Sequence, residues 1–248
     1  MESKDMKKII LSEAHQEENL RVAAYLLEDG HLLTLISNET QKINDFVDSL
    51  PSEHKDRCFI RCFADYTEES TSDAIDSILE MMQGLDIFIN GLPGTNETAL
   101  LKLSPDSFGR DITSGYEKVF LLNREIVRYM VREKAGNIIF LIIDDILHFA
   151  DYPVSPINNQ GRLSLMKSMA KELAPFNIKV NSLTFGIYDP GINPSDKKAM
   201  QKKLEFCALK PSIPKWEDLL PALDALIYPS FKYMTGQNYS ACIGSSNT

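Results

Sequence analysis

The chain of 248 residues is poor in cysteine, positive charge and long apolar runs, and each shortage excludes a class of protein. Four cysteines, Cys58, Cys62, Cys207 and Cys242, are too scattered to staple a small secreted scaffold. Cys58 and Cys62 share one face of an apolar run, with His54 as the one further ligand nearby. No metal site is expected there; buried reduced thiols are. Lysine and arginine number 26 against 35 aspartates and glutamates, for a formal charge of -9. With no basic stripe, neither nucleic acid nor an anionic membrane surface is an expected partner. No run of about 18 apolar residues is available to cross a membrane. The charged start, Met1 to Lys8, leads only to Ile9, Ile10 and Leu11, too short for a signal-peptide core, which predicts a cytoplasmic protein. His15, His31 and His148 stand alone and are expected on the surface or in loops.

Against these absences, 44% of the residues are hydrophobic and 25% charged, enough to bury one sizeable core. Apolar runs of strand length, at 8–11, 31–36, 58–63, 86–90, 137–143, 179–184 and 238–243, alternate with segments of helical period. Those segments fall at 20–28, 41–50, 72–82, 108–132, 162–173, 196–207 and 216–227. This alternation predicts a parallel sheet with crossover helices, and 137–143 reads as a strand covered on both faces. No linker or repeat divides the chain, so a single domain over 1–248 is expected.

Several segments, in order and correctly separated, carry a resemblance. They are Leu85-Asp86-Ile87-Phe88-Ile89-Asn90-Gly91, Met169-Ala170-Lys171-Glu172-Leu173-Ala174-Pro175 followed by Ile178-Lys179-Val180-Asn181-Ser182, and Met234-Thr235-Gly236-Gln237. Together they resemble the short-chain dehydrogenase/reductase family, especially its ketoacyl reductase-like members, nearly end to end. The resemblance implies a three-layer α/β Rossmann fold with a mostly parallel sheet of about seven strands. It places Asp65 beside adenine, Asn90 at the end of the fourth strand, and NAD or NADP in the cleft.

The chemistry-bearing positions depart from the family pattern. Its phosphate turn, T-G-x-x-x-G-x-G, uses glycines so that the backbone approaches a pyrophosphate at a helix N-terminus. Here Ser12 stands at the threonine position, and Glu13, Glu17 and Asn19 stand at the glycines. An unpaired carboxylate about 5 Å from a phosphate costs about 3 kcal/mol at an effective dielectric near 20. These acids also suit a solvated helix start, where they face the positive end of the dipole. Ser37 and Asn38, after the second strand, select neither NAD nor NADP.

The family's catalytic tyrosine and lysine fall on Ser155 and Asn159, its serine on Ile142 or Ile143, and its helix asparagine on Gly115. Tyr152 is the one displaced proton donor in range, with no lysine four residues on. Asp144 and Asp145 follow the fifth strand and read as loop or capping residues. The expectation is a catalytically inactive or non-redox member acting as a structural or regulatory subunit, with no cofactor. The alternative is an NAD(P)-dependent oxidoreductase, or an acyl- or polyketide-modifying enzyme, with displaced catalytic residues. By resemblance, the apolar faces of helices 108–132 and 162–173 imply a homodimer or homotetramer, or assembly with an active paralogue.

Overall fold

Strand-length runs become β1 (Lys8–Leu11), β2 (Leu32–Ser37), β3 (Cys58–Cys62), β4 (Ile87–Asn90), β5 (Gly136–Ile143), β6 (Ile178–Phe185) and β7 (Asn238–Ala241). The structure is a computed structural model that describes residues 5–63, 65–94, 104–145, 147, 154–189, 191, 198–199, 201–202, 205, 213–229 and 233–242. Every neighbouring pair is parallel, in the order β3-β2-β1-β4-β5-β6-β7. Parallel strands need crossovers. The helices α1 (Glu17–Glu28), α2 (Thr40–Ser49), α3 (Ser52–Lys55), α4 (Glu68–Met82), α5 (Pro105–Glu133) and α6 (Pro156–Leu173) lie between them.

Alternation along each strand feeds two cores. Ile9 and Leu11 of β1 join Val22 and Leu26 of α1, Ile43 of α2 and Trp216 on one face. Ile10 joins Phe88, Ile75 of α4, Ile126 of α5 and Met166 of α6 on the other. With helices on both faces, this is a three-layer, Rossmann-like α/β arrangement. β1 sits between β2 and β4, so the chain leaves it in opposite directions and a crevice opens at the carboxyl ends of the strands.

Several helices begin earlier than their apolar periodicity indicates, because caps rather than hydrophobic positions set the ends. Thr67 and Ser70 form a capping box before α4. Ser104 and Ser155 cap α5 and α6, each followed by a proline suited to the first turn. The predicted helix at 216–227 is broken: Pro221 supplies no N–H, and a 3-10 turn at Leu220–Leu223 separates Trp216–Leu219 from Asp224–Ile227. The predicted helix at 196–207 and the chain beyond residue 242 lie largely outside the described residues, as do His148 and Cys207.

Two histidines lie outside helix and strand, as expected, but not at the surface. His31 is fully buried, its Nδ1 accepting from the Lys7 amide at 3.2 Å and its Nε2 facing the Tyr228 hydroxyl at 3.2 Å. His15 is buried as well. A ring with polar partners for both nitrogens can be covered, which isolation in sequence does not show. Cys58 is buried and its thiol is pushed up to about 11 by burial, whereas Cys62 and Cys242 are half-buried. Among the described residues no helix is long and apolar enough to cross a membrane, and no three His, Cys, Asp or Glu side chains converge as a metal site.

The seam between β1 and β4 is tight. A Cβ on Gly91 would lie 2.1 Å from the Ser12 carbonyl oxygen and 2.7 Å from the Asn19 amide nitrogen. Gly91→Ala is expected to lower the unfolding free energy by about 2 kcal/mol or more in urea titration; unchanged stability would show that the turn after β1 yields freely.

Candidate functional site

The crevice at the carboxyl edge begins with the turn that follows β1. Glu13 takes a left-handed conformation, φ 55°, of the kind glycine adopts most easily. Asn19, buried one turn into α1, holds this turn: its Nδ2 donates to the carbonyls of Glu13 (2.8 Å) and Leu92 (3.0 Å), and its Oδ1 accepts from the Leu92 amide (2.9 Å). The Ser12 hydroxyl accepts from the Gly91 amide at 3.3 Å. Thus Ser12 and Asn19, read as cofactor positions, tie the β1 turn to the end of β4. Asn90 exchanges side-chain hydrogen bonds with Asn123 of α5, at 2.8 and 3.2 Å, and faces the helix rather than the crevice.

The carboxylates of the turn are paired. Glu13 Oε1 lies 2.6 Å from the Lys118 ammonium of α5, in a largely buried contact. Glu17 points to solvent and pairs with Arg21 one turn on. The repulsion anticipated from two bare carboxylates therefore does not apply as stated. The charge of Glu13 is thereby neutralised before any ligand arrives.

A cavity of about 520 Å³ opens beside Glu13, with His15, Asn38, Glu39, Asp65, Tyr66, Gly115, Tyr116, Lys118, Asn158 and Arg162 along its walls. His15 faces the Ser37 hydroxyl at 3.1 Å and lies 3.9 and 3.8 Å from carboxylate oxygens of Glu13 and Glu39. Burial nevertheless outweighs those charges and holds the imidazole below its ordinary pKa. Tyr66 stacks on Phe63 with centroids 4.8 Å apart and lies beneath Lys118, 5.2 Å from its ring centre. Burial, with the Glu13 charge, pushes the Tyr66 phenol well up. Arg162 of α6 is 2% exposed; its Nη2 donates to the carbonyls of Asn90 (2.9 Å) and Gly91 (2.6 Å), and its guanidinium lies 5.8 Å from the Phe140 ring centre. Burial lowers its pKa to about 10, so it remains a cation at neutral pH.

The positions expected to carry catalysis do other work. Ser155 caps α6 and accepts from Asn158 Nδ2 at 2.7 Å. Asn159 Nδ2 donates to the Ile143 carbonyl and to Asp145 Oδ1, both at 2.7 Å, fixing α6 to the end of β5. Asp145 also accepts from the Gln160 side chain, while the Asp144 amide donates to Phe185. Ile142 and Ile143 are buried aliphatics, and Gly115 offers bare backbone to the cavity. Tyr152 lies outside the described residues. Asp65 does line the cavity, whereas Glu17, Asn19 and Asn90 do not.

Sequence reading missed Lys118, Tyr116, His15 and Arg162 as cleft residues. For Arg162 a signal existed: it shares the spacing of Met166, Met169 and Leu173 on the buried face of α6. A charge at such a position needs a reason. Lys118 gave no comparable signal, because its partner lies 105 positions away across the sheet.

A model of the family described as short chain dehydrogenase matches residues 19–201. The 3-oxoacyl-(acyl-carrier-protein) reductase FabG of Aquifex aeolicus is 28% identical over 127 residues, a match spanning half of each chain. That of Rickettsia bellii is 26% identical over 217 residues, covering 84% of this chain and 83% of the relative. Among solved structures, NAD+-bound xylitol dehydrogenase superposes with a TM-score of 0.75 at 17% identity, covering 94% of this chain and 96% of the other. ElxO with NADP bound gives 0.76 at 16%, covering 97% and 99%.

Two outcomes test the site's electrostatics. A double-mutant cycle of Glu13→Gln and Lys118→Met is expected to give a coupling of about 1–3 kcal/mol in unfolding free energy; additivity would deny the ion pair. His15, whose folded pKa is lowered, favours the fold above its unfolded value of 6.5 and withdraws that contribution as pH falls through 6.5. His15→Gln should therefore reduce the loss of stability between neutral and mildly acidic pH, measured by urea unfolding. An unaltered slope would contradict the assignment.

Proposed function

Because this chain belongs to the short-chain dehydrogenase family, we propose that it is a nicotinamide-dinucleotide-dependent oxidoreductase whose acid–base groups are displaced from the family's usual positions. The observation that carries this reading is the open cavity at the carboxyl edge, with its phosphate-turn carboxylate already neutralised by Lys118. The bound dinucleotide would supply hydride transfer. The chain's own residues would hold it: the start of α1 beneath the pyrophosphate, Asp65 towards the adenine, and the rim of β2 along the ribose. Glu39 on that rim is a carboxylate, which accepts from a ribose hydroxyl and repels a 2′-phosphate, so NAD is favoured over NADP. The proton donor is then a displaced phenol, either Tyr152 or Tyr116, whose hydroxyl donates to the Ile157 carbonyl at 2.7 Å beside Gly115.

A second reading has its own support. Ser155 and Asn159 are committed to structural hydrogen bonds, and Ile143 cannot hold a substrate oxygen, as suits a subunit that binds without turning over. Phe120 of α5 and Ile157 of α6, 54% and 36% exposed, are apolar side chains that a second subunit would cover in either reading.

Titration with NADH is expected to raise the melting temperature, corresponding to about 2.7 kcal/mol at a hundredfold excess over the dissociation constant, with NADPH weaker. No shift with either at millimolar concentration would overturn the nucleotide reading. NADH binding without oxidation across a panel of ketones, unchanged by Tyr116→Phe and Tyr152→Phe, would select the second. Light scattering is expected to report at least twice the monomer mass of 28.0 kDa, and a monomer at tens of micromolar would remove the assembly.

A further inference from the structure

Among the described residues Arg162 is a buried charge with no ion-pair partner, the Glu13 carboxylate acting on it only at longer range. Two of its hydrogen bonds go from Nη2 to uncharged carbonyls, Nε has no partner, and no described carboxylate forms an ion pair with it. Lys118, the other cation on the cavity wall, is already neutralised by Glu13. A guanidinium removed from water is retained at low cost only when an anion shares its site. Carbonyl oxygens and the Phe140 ring orient it and leave its charge standing.

We propose that Arg162 binds the carboxylate of a small organic acid in the cavity at the carboxyl edge, and that this acid is the missing counter-ion. The choice of a carboxylate follows from charge and shape. Glu39 and Asp65 line the same cavity, so a dianionic phosphate meets more repulsion there than a monoanion. The planar fork of a guanidinium also matches a carboxylate in size and geometry. Arg162 sits one turn beyond Asn159 on α6, the helix that carries two of the positions expected to be catalytic, which places the acid at the substrate end of the crevice. It is a positioning residue, holding the ligand by a part that does not react. This inference specifies the substrate class for the oxidoreductase reading, yet it also holds for a cleft that binds without turnover.

The test is titration calorimetry of the full chain, without nucleotide, using the monoanions pyruvate, acetate and lactate, with methyl pyruvate and inorganic phosphate as comparisons. At least one of the three acids is expected to bind saturably, tenfold or more tighter than methyl pyruvate and phosphate. Arg162→Lys, which keeps a cation able to reach the carbonyls, should weaken the bound acid about tenfold, and Arg162→Gln should abolish binding. Circular dichroism checks that each variant folds. Should both variants unfold, the native protein's preference for the acid over its ester decides alone. Equal affinity for pyruvate and its ester, tighter binding of phosphate, or no binding of any acid at tens of millimolar would overturn the proposal. Because no nucleotide is present, its failure is separate from failure of NADH binding.

Discussion

One buried amide fixes the geometry on which the crevice depends. Asn19 lies in the first turn of α1, and its side chain reaches back to the Glu13 carbonyl and across to both backbone groups of Leu92. Three hydrogen bonds made by one side chain away from water are costly to break singly, since each orphaned partner would stay desolvated. They hold the turn after β1 against the chain leaving β4, where Gly91 leaves no space for a Cβ. A glycine turn is passively narrow; this one is actively tied.

Charge is arranged around that tie in three different ways. Glu13 meets Lys118 across the crevice, so the carboxylate nearest the phosphate turn already has a partner. His15, between Glu13 and Glu39, stays neutral at physiological pH because burial outweighs both acids. Arg162 has neither remedy. The cavity therefore holds one carboxylate paired within the protein, one neutral imidazole and one buried guanidinium with no ion-pair partner among the described residues. Meanwhile the hydrogen bonds of Ser155 and Asn159 stitch α6 to its own first turn and to β5.

The fold was legible because its signals are local. Strand-length apolar runs separated by helical periods require no knowledge of distant partners, and β1 through β6 lie within about two residues of their expected places. Helix starts lie ahead of the apolar periodicity because the Ser-Pro caps at Ser104 and Ser155, not hydrophobic positions, set them. The site was half legible. Register placed Glu13, Asn19, Ser155 and Asn159 at family positions, yet it could not show that Glu13 is neutralised or that Asn159 is engaged. Those facts depend on Lys118 and Ile143, brought near by the fold. The burial of His15 and His31 was hidden for the same reason: it is decided by partners from other elements.

The proposed function requires that the crevice of this short-chain dehydrogenase family member receive a dinucleotide beside the paired carboxylate of Glu13. A crystal structure grown with NADH tests it most directly. Density is expected along the crevice, with the pyrophosphate over the first turn of α1, the adenine towards Asp65 and a ribose hydroxyl at Glu39. An empty crevice at saturating NADH, with Glu13 and Lys118 still joined across it, would contradict the proposed function.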